Sequence, residues 1–349
     1  MPESFLKRAL SGFAPYTPGL QPPDGDGWTK LNTNESPWPP SPRVLAALHA
    51  AIGENLRLYP NPLAEPARQA IAREFGLTAE WVAMGNGGDE LIAMCLRAFV
   101  GAGERVAFPT PSYPLYEPEA VIYGLTPVAH PLGPDWALPD SLAADDAPLK
   151  LVANPNSPTG TWYSRRVIED LVRRSRGVVA LDEAYVDFAP ETRLDLLAEH
   201  SNLLLLRTLS KSGALAGLRI GYALGQPDLI RALDVVKDSY NLDRLAIVAA
   251  VAAIEDGDYR RRLVEHVVSE RDWLAERLAG AGFTVAPSAA NFVFVRPPAP
   301  AREVFEGLKA RKVLVRHYDR EPIAGWFRVT VGTREQHERL LSALKEVMA

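Results

Sequence analysis

Four side chains near the middle of the chain have chemistry that could work together. Asp182 offers a carboxylate that can stabilise a cation, and Tyr185 offers a phenol that can donate a hydrogen bond. Lys211 carries an amine that becomes a nucleophile when it loses its proton. Arg219 carries a guanidinium whose geometry matches a phosphate or a carboxylate. Taken singly, such residues are more often helix caps or surface charges, so their meaning depends on the elements that position them.

Short apolar runs alternate with helical segments around these residues, as in a parallel sheet that is covered by helices on both faces. The runs lie at residues 105–108, 149–153, 178–181, 203–207 and 219–224. Asp182 directly follows the third run, and Lys211 lies in the turn after the fourth. Ligands of open α/β sheets bind at the carboxyl ends of the strands. We therefore expect the four side chains to meet in one site.

A loop at Gly87-Gly88-Asp89 has the pattern of a helix start, with a turn, an acidic residue and then an apolar run. The N-terminus of a helix and an arginine together can bind a dianionic phosphate. Pyridoxal 5′-phosphate (PLP) needs this set of groups. A carboxylate keeps its pyridine nitrogen protonated, so that the ring acts as an electron sink, and a lysine amine attaches it. The residues therefore indicate a PLP site with Lys211 as the point of attachment.

The 349 residues are enough for two domains. The first forty residues are rich in proline and glycine, which predicts an extended arm. A long amphipathic helix near residues 259–278 is followed by alternating segments at 291–296, 313–316 and 327–331 and by a final helix from about Arg334, which indicates a smaller α+β domain. We expect an arm at residues 1–35 that joins the small domain, a large PLP-binding domain at 36–245 and a small C-terminal domain at 246–349.

Three segments, at residues 154–160, 181–188 and 207–222, resemble the signature motifs of fold-type I PLP aminotransferases. Within that group the chain is similar to the histidinol-phosphate aminotransferase family, on further segments at 31–37, 57–60 and 327–334. The resemblance covers nearly the whole chain. It implies an α/β fold with a mostly parallel sheet in the large domain and a smaller α+β domain. The implied reaction converts histidinol phosphate and 2-oxoglutarate to imidazole acetol phosphate and glutamate, in histidine biosynthesis.

The resemblance also implies a role for each position that matches a family motif. Lys211 looks like the Schiff-base lysine and proton shuttle, Asp182 like the partner of the pyridine nitrogen, and Tyr185 like the group that bonds the ring oxygen. Further cofactor contacts are implied for Gly88, Asp89, Tyr113, Thr208, Ser210, Arg219 and, from the neighbouring subunit, Tyr59. Substrate contacts are implied for Tyr16, Asn34, Arg316 and Arg328. Arg328 would take the carboxylate of glutamate or the phosphate of the other substrate.

One position departs from the family pattern. The family often has a second asparagine directly before Pro-Thr-Gly, where it bonds the ring oxygen of the cofactor, and this chain has Ser157 there. Either the hydroxyl of Ser157 takes over that bond or Asn156 turns inward. The sequence leaves both possibilities open.

Composition and charge argue against several other kinds of function. Hydrophobic residues make up 47% of the chain and charged residues 23%, as in soluble globular proteins. The net charge is −5, which argues against nucleic acid as a partner, and no apolar run reaches the roughly 18 residues of a membrane span. The six histidines show no metal-ligand spacing. We expect no metal, a cytoplasmic location, a small-molecule amino donor and a keto acid as substrates, and a homodimer.

Two enzymatic alternatives stay open at this point, and a third, non-enzymatic one is disfavoured. An aromatic amino-acid aminotransferase and a PLP decarboxylase of the threonine-phosphate type share the fold and the cofactor pocket. The third is a PLP-binding effector domain of a transcription factor. That function needs an attached basic helix-turn-helix module, for which the chain has neither room nor charge.

Overall fold

The computed structural model describes residue 10, residues 19–23 and residues 26–349. The predicted substrate contact at Tyr16 lies outside the described residues. The strands are β1 (Thr29–Leu31), β2 (Val82–Asn86), β3 (Arg105–Thr110), β4 (Thr126–Pro131), β5 (Leu149–Ala153), β6 (Val178–Asp182), β7 (Leu203–Thr208), β8 (Ile220–Gly225), β9 (Thr284–Ala286), β10 (Phe292–Arg296), β11 (Val313–His317) and β12 (Phe327–Thr330).

The α-helices that connect these strands are α1 (Pro42–Ala51), α2 (Glu65–Phe75), α3 (Gly87–Phe99), α4 (Tyr116–Ile122), α5 (Asp140–Ala144), α6 (Arg165–Arg174), α7 (Leu196–Glu199), α8 (Pro227–Val236), α9 (Arg244–Glu255), α10 (Gly257–Gly280), α11 (Ala301–Ala310) and α12 (Arg334–Val347). None of these helices is both long and apolar enough to cross a membrane.

Several helix ends follow local sequence signals. The side chain of Ser41 accepts a hydrogen bond from the Val44 backbone N–H and so caps the start of α1. Thr333 and Gln336 form a capping box at the start of α12. Gly76 ends α2 in the left-handed conformation, with a φ of 66°. These signals fix where the three helices begin or end.

The large sheet has seven strands in the order β2-β8-β7-β6-β5-β3-β4. Strands β7, β6, β5, β3 and β4 run parallel, and β8 is antiparallel to both of its neighbours. One face is covered by α1, α2, α5, α6, α7 and α9, and the other by α3, α4 and α8. The predicted α/β fold with a mostly parallel large sheet is confirmed, and the five predicted apolar runs correspond to β3, β5, β6, β7 and β8.

The small sheet has five strands in the order β1-β11-β12-β10-β9. The arm contributes β1, which runs parallel to β11, and the other pairs are antiparallel. One face of this sheet packs against α10, α11 and α12. Helix α9 packs on α1 and α2 beside the large sheet. The exact domain boundaries at residues 35 and 245 stay a prediction.

Candidate functional site

The side chains predicted to carry chemistry gather around a cavity of about 370 Å³ between the two sheets. The predicted residues that line it are Asn34, Gly88, Asp89, Tyr113, Ser157, Asp182, Tyr185, Thr208, Ser210, Lys211, Arg219, Arg316 and Arg328. The carboxyl ends of β6 and β7 and the start of α3 form one side of it, and β11 and β12 form the other. Asn156 and Tyr59 are not part of its wall.

Asp182 is the last residue of β6 and accepts two hydrogen bonds from neutral donors. The backbone N–H of Ala184 donates to Oδ1 at 3.0 Å, and the hydroxyl of Tyr116 donates to Oδ2 at 3.1 Å. Within the described part of the chain, no cationic side chain forms an ion pair with this carboxylate. Burial raises the pKa of Asp182 to about 6, against the two hydrogen bonds. A cation placed beside it would keep the carboxylate ionised.

Tyr185 is held by a chain of contacts from the small sheet. Asn34 donates from Nδ2 to the Tyr185 hydroxyl oxygen at 2.9 Å. Thr330 on β12 fixes Asn34, because its hydroxyl accepts from the Asn34 backbone N–H at 2.9 Å and lies 3.1 Å from Oδ1. Asn34 has a φ of 54°, a conformation that asparagine tolerates better than most residues. With its oxygen already accepting a bond, the Tyr185 hydroxyl can donate its proton to a ligand.

Lys211 lies in the turn after β7, with its Nζ 5.8 Å from the centre of the Tyr185 ring. Burial, together with the charges of Arg328 and Arg219, lowers the pKa of Lys211 to about 8, while the charge of Glu35 opposes them. A lysine with this pKa has a substantial unprotonated fraction near neutral pH. It is therefore suited to attack a carbonyl carbon.

The start of α3 faces Arg219 and forms an anion site. Gly87 has a φ of +84°, a conformation that favours glycine, and a Cβ there would lie 2.6 Å from Nη2 of Arg219, so the guanidinium lies directly against the start of the helix. Arg219 donates to Oδ2 of Asp89 at 2.9 Å, and the Tyr113 hydroxyl donates to Oδ1 at 2.9 Å. Backbone N–H groups at a helix start, with a guanidinium beside them, suit a phosphate.

The turn between β7 and β8 adds hydroxyl groups to this anion site. The Ser210 backbone N–H donates to the Thr208 hydroxyl at 3.1 Å, and the two side-chain oxygens lie 2.8 Å apart. Both residues also line the cavity. The turn therefore contributes two hydroxyl-bearing residues to the same cavity wall as Arg219.

The structure separates the two candidates for the ring-oxygen bond. Ser157 lines the cavity, and its hydroxyl accepts a hydrogen bond from Nη1 of Arg328 at 3.1 Å. Asn156 is fully buried, and its amide bonds to the Pro111 carbonyl at 3.1 Å and to Thr159 at 2.9 Å. Asn156 is therefore held within the loop, and of the two residues Ser157 is the one that lines the cavity.

Arg316 and Arg328 bring two positive charges to the small-sheet side of the cavity. They are partners in the register of β11 and β12, and both line the cavity wall. Arg328 also donates from Nη2 to the backbone carbonyl of Asn32 at 3.1 Å. Two guanidiniums at this point form a second anion site, separate from the one at the start of α3.

Among the residues of the site that were not predicted from the sequence, Tyr116 and Glu35 carry titratable groups. Tyr116, which is fully buried, bonds Asp182. Its spacing of three residues from Tyr113 at a helix start was the available signal. Glu35 lines the cavity beside Asn34, and it lies in the segment at residues 31–37 that carries part of the family resemblance. Tyr59 lies outside the cavity, stacked on Tyr240 with ring centres 4.5 Å apart.

These residues fit PLP. A protonated ring nitrogen would supply the cation that Asp182 lacks, and the backbone N–H groups at the start of α3, with Arg219 beside them, suit a phosphate. Lys211 has an amine of suitable pKa in the same cavity. Arg316 and Arg328 line the same cavity on the small-sheet side.

Comparison with known proteins agrees with this geometry. The family model for aminotransferases of class I and II matches residues 26–344. The chain is 43% identical over 343 residues to a histidinol-phosphate aminotransferase of Geotalea uraniireducens, covering 98% of this chain and 99% of the relative. It is 45% identical over 349 residues to the enzyme of that name from Acetobacter pasteurianus, covering 99% of this chain and 98% of the relative.

Solved structures show the same fold. The histidinol-phosphate aminotransferase of Sinorhizobium meliloti in complex with pyridoxal-5′-phosphate is 29% identical, with a TM-score of 0.86 over 91% of this chain and 90% of that one. The L-threonine-O-3-phosphate decarboxylase of Porphyromonas gingivalis is 22% identical, with a TM-score of 0.80 over 91% of this chain and 99% of that one. The second likeness shows only the fold.

Proposed function

Because the chain belongs to the family of class I and II aminotransferases, we propose that it transfers the amino group of histidinol phosphate to 2-oxoglutarate. The products are imidazole acetol phosphate and glutamate. PLP is the cofactor, and when bound it supplies an electron sink for the electrons of the bond that is broken at the substrate's α-carbon. The side chains around the cavity hold the cofactor, bind the substrate and move the proton.

Lys211 holds the cofactor through Nζ and, once released, moves the proton from the α-carbon of the substrate. Its pKa of about 8 leaves enough free amine for both tasks near neutral pH. Asp182 holds the proton on the pyridine nitrogen, and the Tyr185 hydroxyl, oriented by Asn34, bonds the ring oxygen. In this proposal the start of α3 at Gly88 and Asp89 binds the cofactor phosphate, together with Thr208, Ser210 and Arg219, while Tyr113 lies against the ring.

The observation that carries the substrate proposal is the pair of Arg316 and Arg328 in the same cavity as Lys211. One site must accept two dissimilar substrates in turn. Histidinol phosphate carries a phosphate and glutamate a carboxylate, and a guanidinium fork binds either group. A shared anionic handle therefore allows both substrates to place their reacting carbon near Lys211.

A panel of amino donors with 2-oxoglutarate tests this proposal. We expect histidinol phosphate to be the preferred donor and glutamate to form with it. Preference for phenylalanine or tyrosine would make the protein an aromatic amino-acid aminotransferase. Release of carbon dioxide in place of a keto product would make it a decarboxylase of the threonine-phosphate type.

We also propose that the active unit is a homodimer, in which Tyr59 reaches the cofactor phosphate of the partner subunit. Tyr59 is 78% exposed, and the residues around it in sequence include the exposed apolar side chains of Ile52, Leu56, Leu58 and Leu63. Exposed apolar side chains at this density mark interaction surfaces. The cytoplasm stays the proposed location, on the composition of the chain.

A further inference from the structure

Three carboxylates line the cavity among the described residues, and two of them have both oxygens engaged. Asp89 accepts from Tyr113 on Oδ1 and from Arg219 on Oδ2, each at 2.9 Å. Asp182 accepts from Ala184 at 3.0 Å and from Tyr116 at 3.1 Å, again one bond on each oxygen. Neither carboxylate has an oxygen left without a hydrogen bond.

Glu35 is the third carboxylate, and its bonds are distributed differently. The Lys30 ammonium and the Thr33 hydroxyl both donate to Oε2, the latter at 2.8 Å. Oε1 has no hydrogen-bond partner among the residues that the structure describes. The Glu35 side chain is 43% exposed, so a ligand can reach its carboxylate. Glu35 is thus a fixed carboxylate with one open acceptor.

The surroundings of Glu35 keep it ionised. Burial raises the pKa of Glu35, but the bonds from Lys30 and Thr33 and the charge of Lys211 together hold that pKa below its ordinary value. The ion pair with Lys30 also cancels the negative charge locally. The cavity can therefore offer this acceptor to one substrate without repelling another that carries two carboxylates.

The position of Glu35 complements the two other contact points for a substrate. The amino group reacts beside Lys211, and an anionic group lies at Arg316 and Arg328. Arg328 bonds the backbone of Asn32, and the chain runs from there through Asn34 to Glu35 along the cavity wall. Histidinol phosphate has three arms on one carbon, namely the amine, the phosphate arm and the imidazole arm. Because the amine and the phosphate arm occupy the two contact points above, the imidazole arm would lie against the wall that carries Glu35.

We propose that Glu35 is a specificity-determining residue that accepts a hydrogen bond on Oε1 from the imidazole N–H of the amino donor. A neutral imidazole has one N–H donor and an imidazolium has two, so the bond forms in either state. This inference rests on the proposed function, because it assigns a recognition contact to the donor substrate. It gives the site a contact with the ring in addition to the arginine contact that both substrates share.

The test is Glu35→Gln, assayed in the holoenzyme with each substrate. Lys30 and Thr33 both donate, so they hold the amide oxygen of the new side chain and turn its NH₂ group toward the cavity. The acceptor for the imidazole is then lost with little change in volume. We expect KM for histidinol phosphate to rise about tenfold, as for the loss of a charge-assisted hydrogen bond. The kcat should change less than about twofold, and KM for glutamate should stay the same.

Two controls accompany this variant. Glu303→Gln removes one charge from an exposed position on α11 and should behave like the wild type. Aminoethyl phosphate has the amine and the phosphate without the ring. It should inhibit the glutamate reaction with the same inhibition constant in the wild type and in Glu35→Gln.

An unchanged KM for histidinol phosphate in Glu35→Gln would overturn the inference. An equal loss with both substrates, or a fall in kcat with both, would also overturn it, because Glu35 would then act on Lys211 or on the fold. Failure of the proposed function is distinguishable without any variant. In that case the wild type itself would not use histidinol phosphate, and the inference would fall with it.

Discussion

Arg316 and Arg328 lie directly opposite each other on neighbouring antiparallel strands, and both line the cavity that contains Lys211. Like charges in this cross-strand arrangement destabilise a sheet. An anion between the two guanidiniums removes the repulsion and gains charge-assisted hydrogen bonds. We infer that the pair binds the anionic group of the substrate.

Replacing Arg328 by alanine should therefore weaken both half-reactions. A hydrogen bond to a charged group is worth about 1.5–3 kcal/mol, which corresponds to roughly ten- to a hundredfold in kcat/KM. We expect the loss with histidinol phosphate and with glutamate, measured separately. Arg302→Ala, on the exposed side of α11, is the matched control and should show no loss. A loss confined to one substrate would contradict a shared anionic handle.

Replacing Lys211 by alanine should abolish the covalent attachment of the cofactor. The wild-type protein should absorb in the visible and, after borohydride reduction, should retain the cofactor on a peptide that contains Lys211. The variant should lose both the retained cofactor and turnover, since Lys211 is the only lysine among the described residues that lines the cavity. Lys309→Ala, on α11, is the control. Retained cofactor on any other lysine would show that the assignment is wrong.

The pH dependence of cofactor attachment follows from the lowered pKa of Lys211. Only the unprotonated amine attacks, so the attachment rate should rise with pH and reach half of its maximum near pH 8. An ordinary lysine would reach that point near its usual pKa of about 10.4. The rate is measured by mixing apoprotein with PLP between pH 6.5 and 9.5. A rate that continues to rise steeply above pH 9 would contradict the lowered pKa.

Part of the site was predictable because it depends on local sequence. Asp182 and Lys211 follow apolar strands, and the strand ends of a parallel sheet meet at one edge. The open oxygen of Glu35 was not predictable. The bonds from Lys30 and Thr33 are local, but the cavity that Glu35 faces is completed by Arg328, which is far away in sequence.

Two edge strands of the large sheet were missed for physical reasons. Strand β2 ends in Gly85-Asn86, which looks like a turn, and Gly85 pairs with Gly221 in β8. A Cβ at Gly221 would lie 2.6 Å from the Gly87 backbone, so glycine at this position lets β8 approach the start of α3 closely. No local sequence pattern reveals this approach. Strand β4 contains Pro127 and is partly exposed along its length, as edge strands permit.

Replacing Asp182 by asparagine should separate cofactor binding from catalysis. The amide cannot hold a proton on the pyridine nitrogen, so the electron sink is weakened, and turnover should fall by orders of magnitude. PLP should still bind, because its phosphate site at Gly87 and Arg219 is intact. Tyr116→Phe is the companion variant. It removes one hydrogen bond from the carboxylate, worth about 1.5–3 kcal/mol, but leaves the carboxylate itself in place, and should cost less activity than the Asp182 variant. Near-normal turnover of the Asp182 variant would refute the role.

The homodimer proposal predicts that charge on the segment around Tyr59 will separate the subunits. Leu56 and Leu58 are each nearly half exposed, at 48% and 45%, and a dimer interface would bury them. The double variant Leu56→Asp and Leu58→Asp should sediment as a monomer and lose activity, since Tyr59 could no longer reach the partner's cofactor. Val235→Asp is the control, because Val235 is also apolar and 82% exposed but lies on α8. It should remain a dimer with normal activity. A wild-type protein that is fully active as a monomer at assay concentration would contradict the proposal.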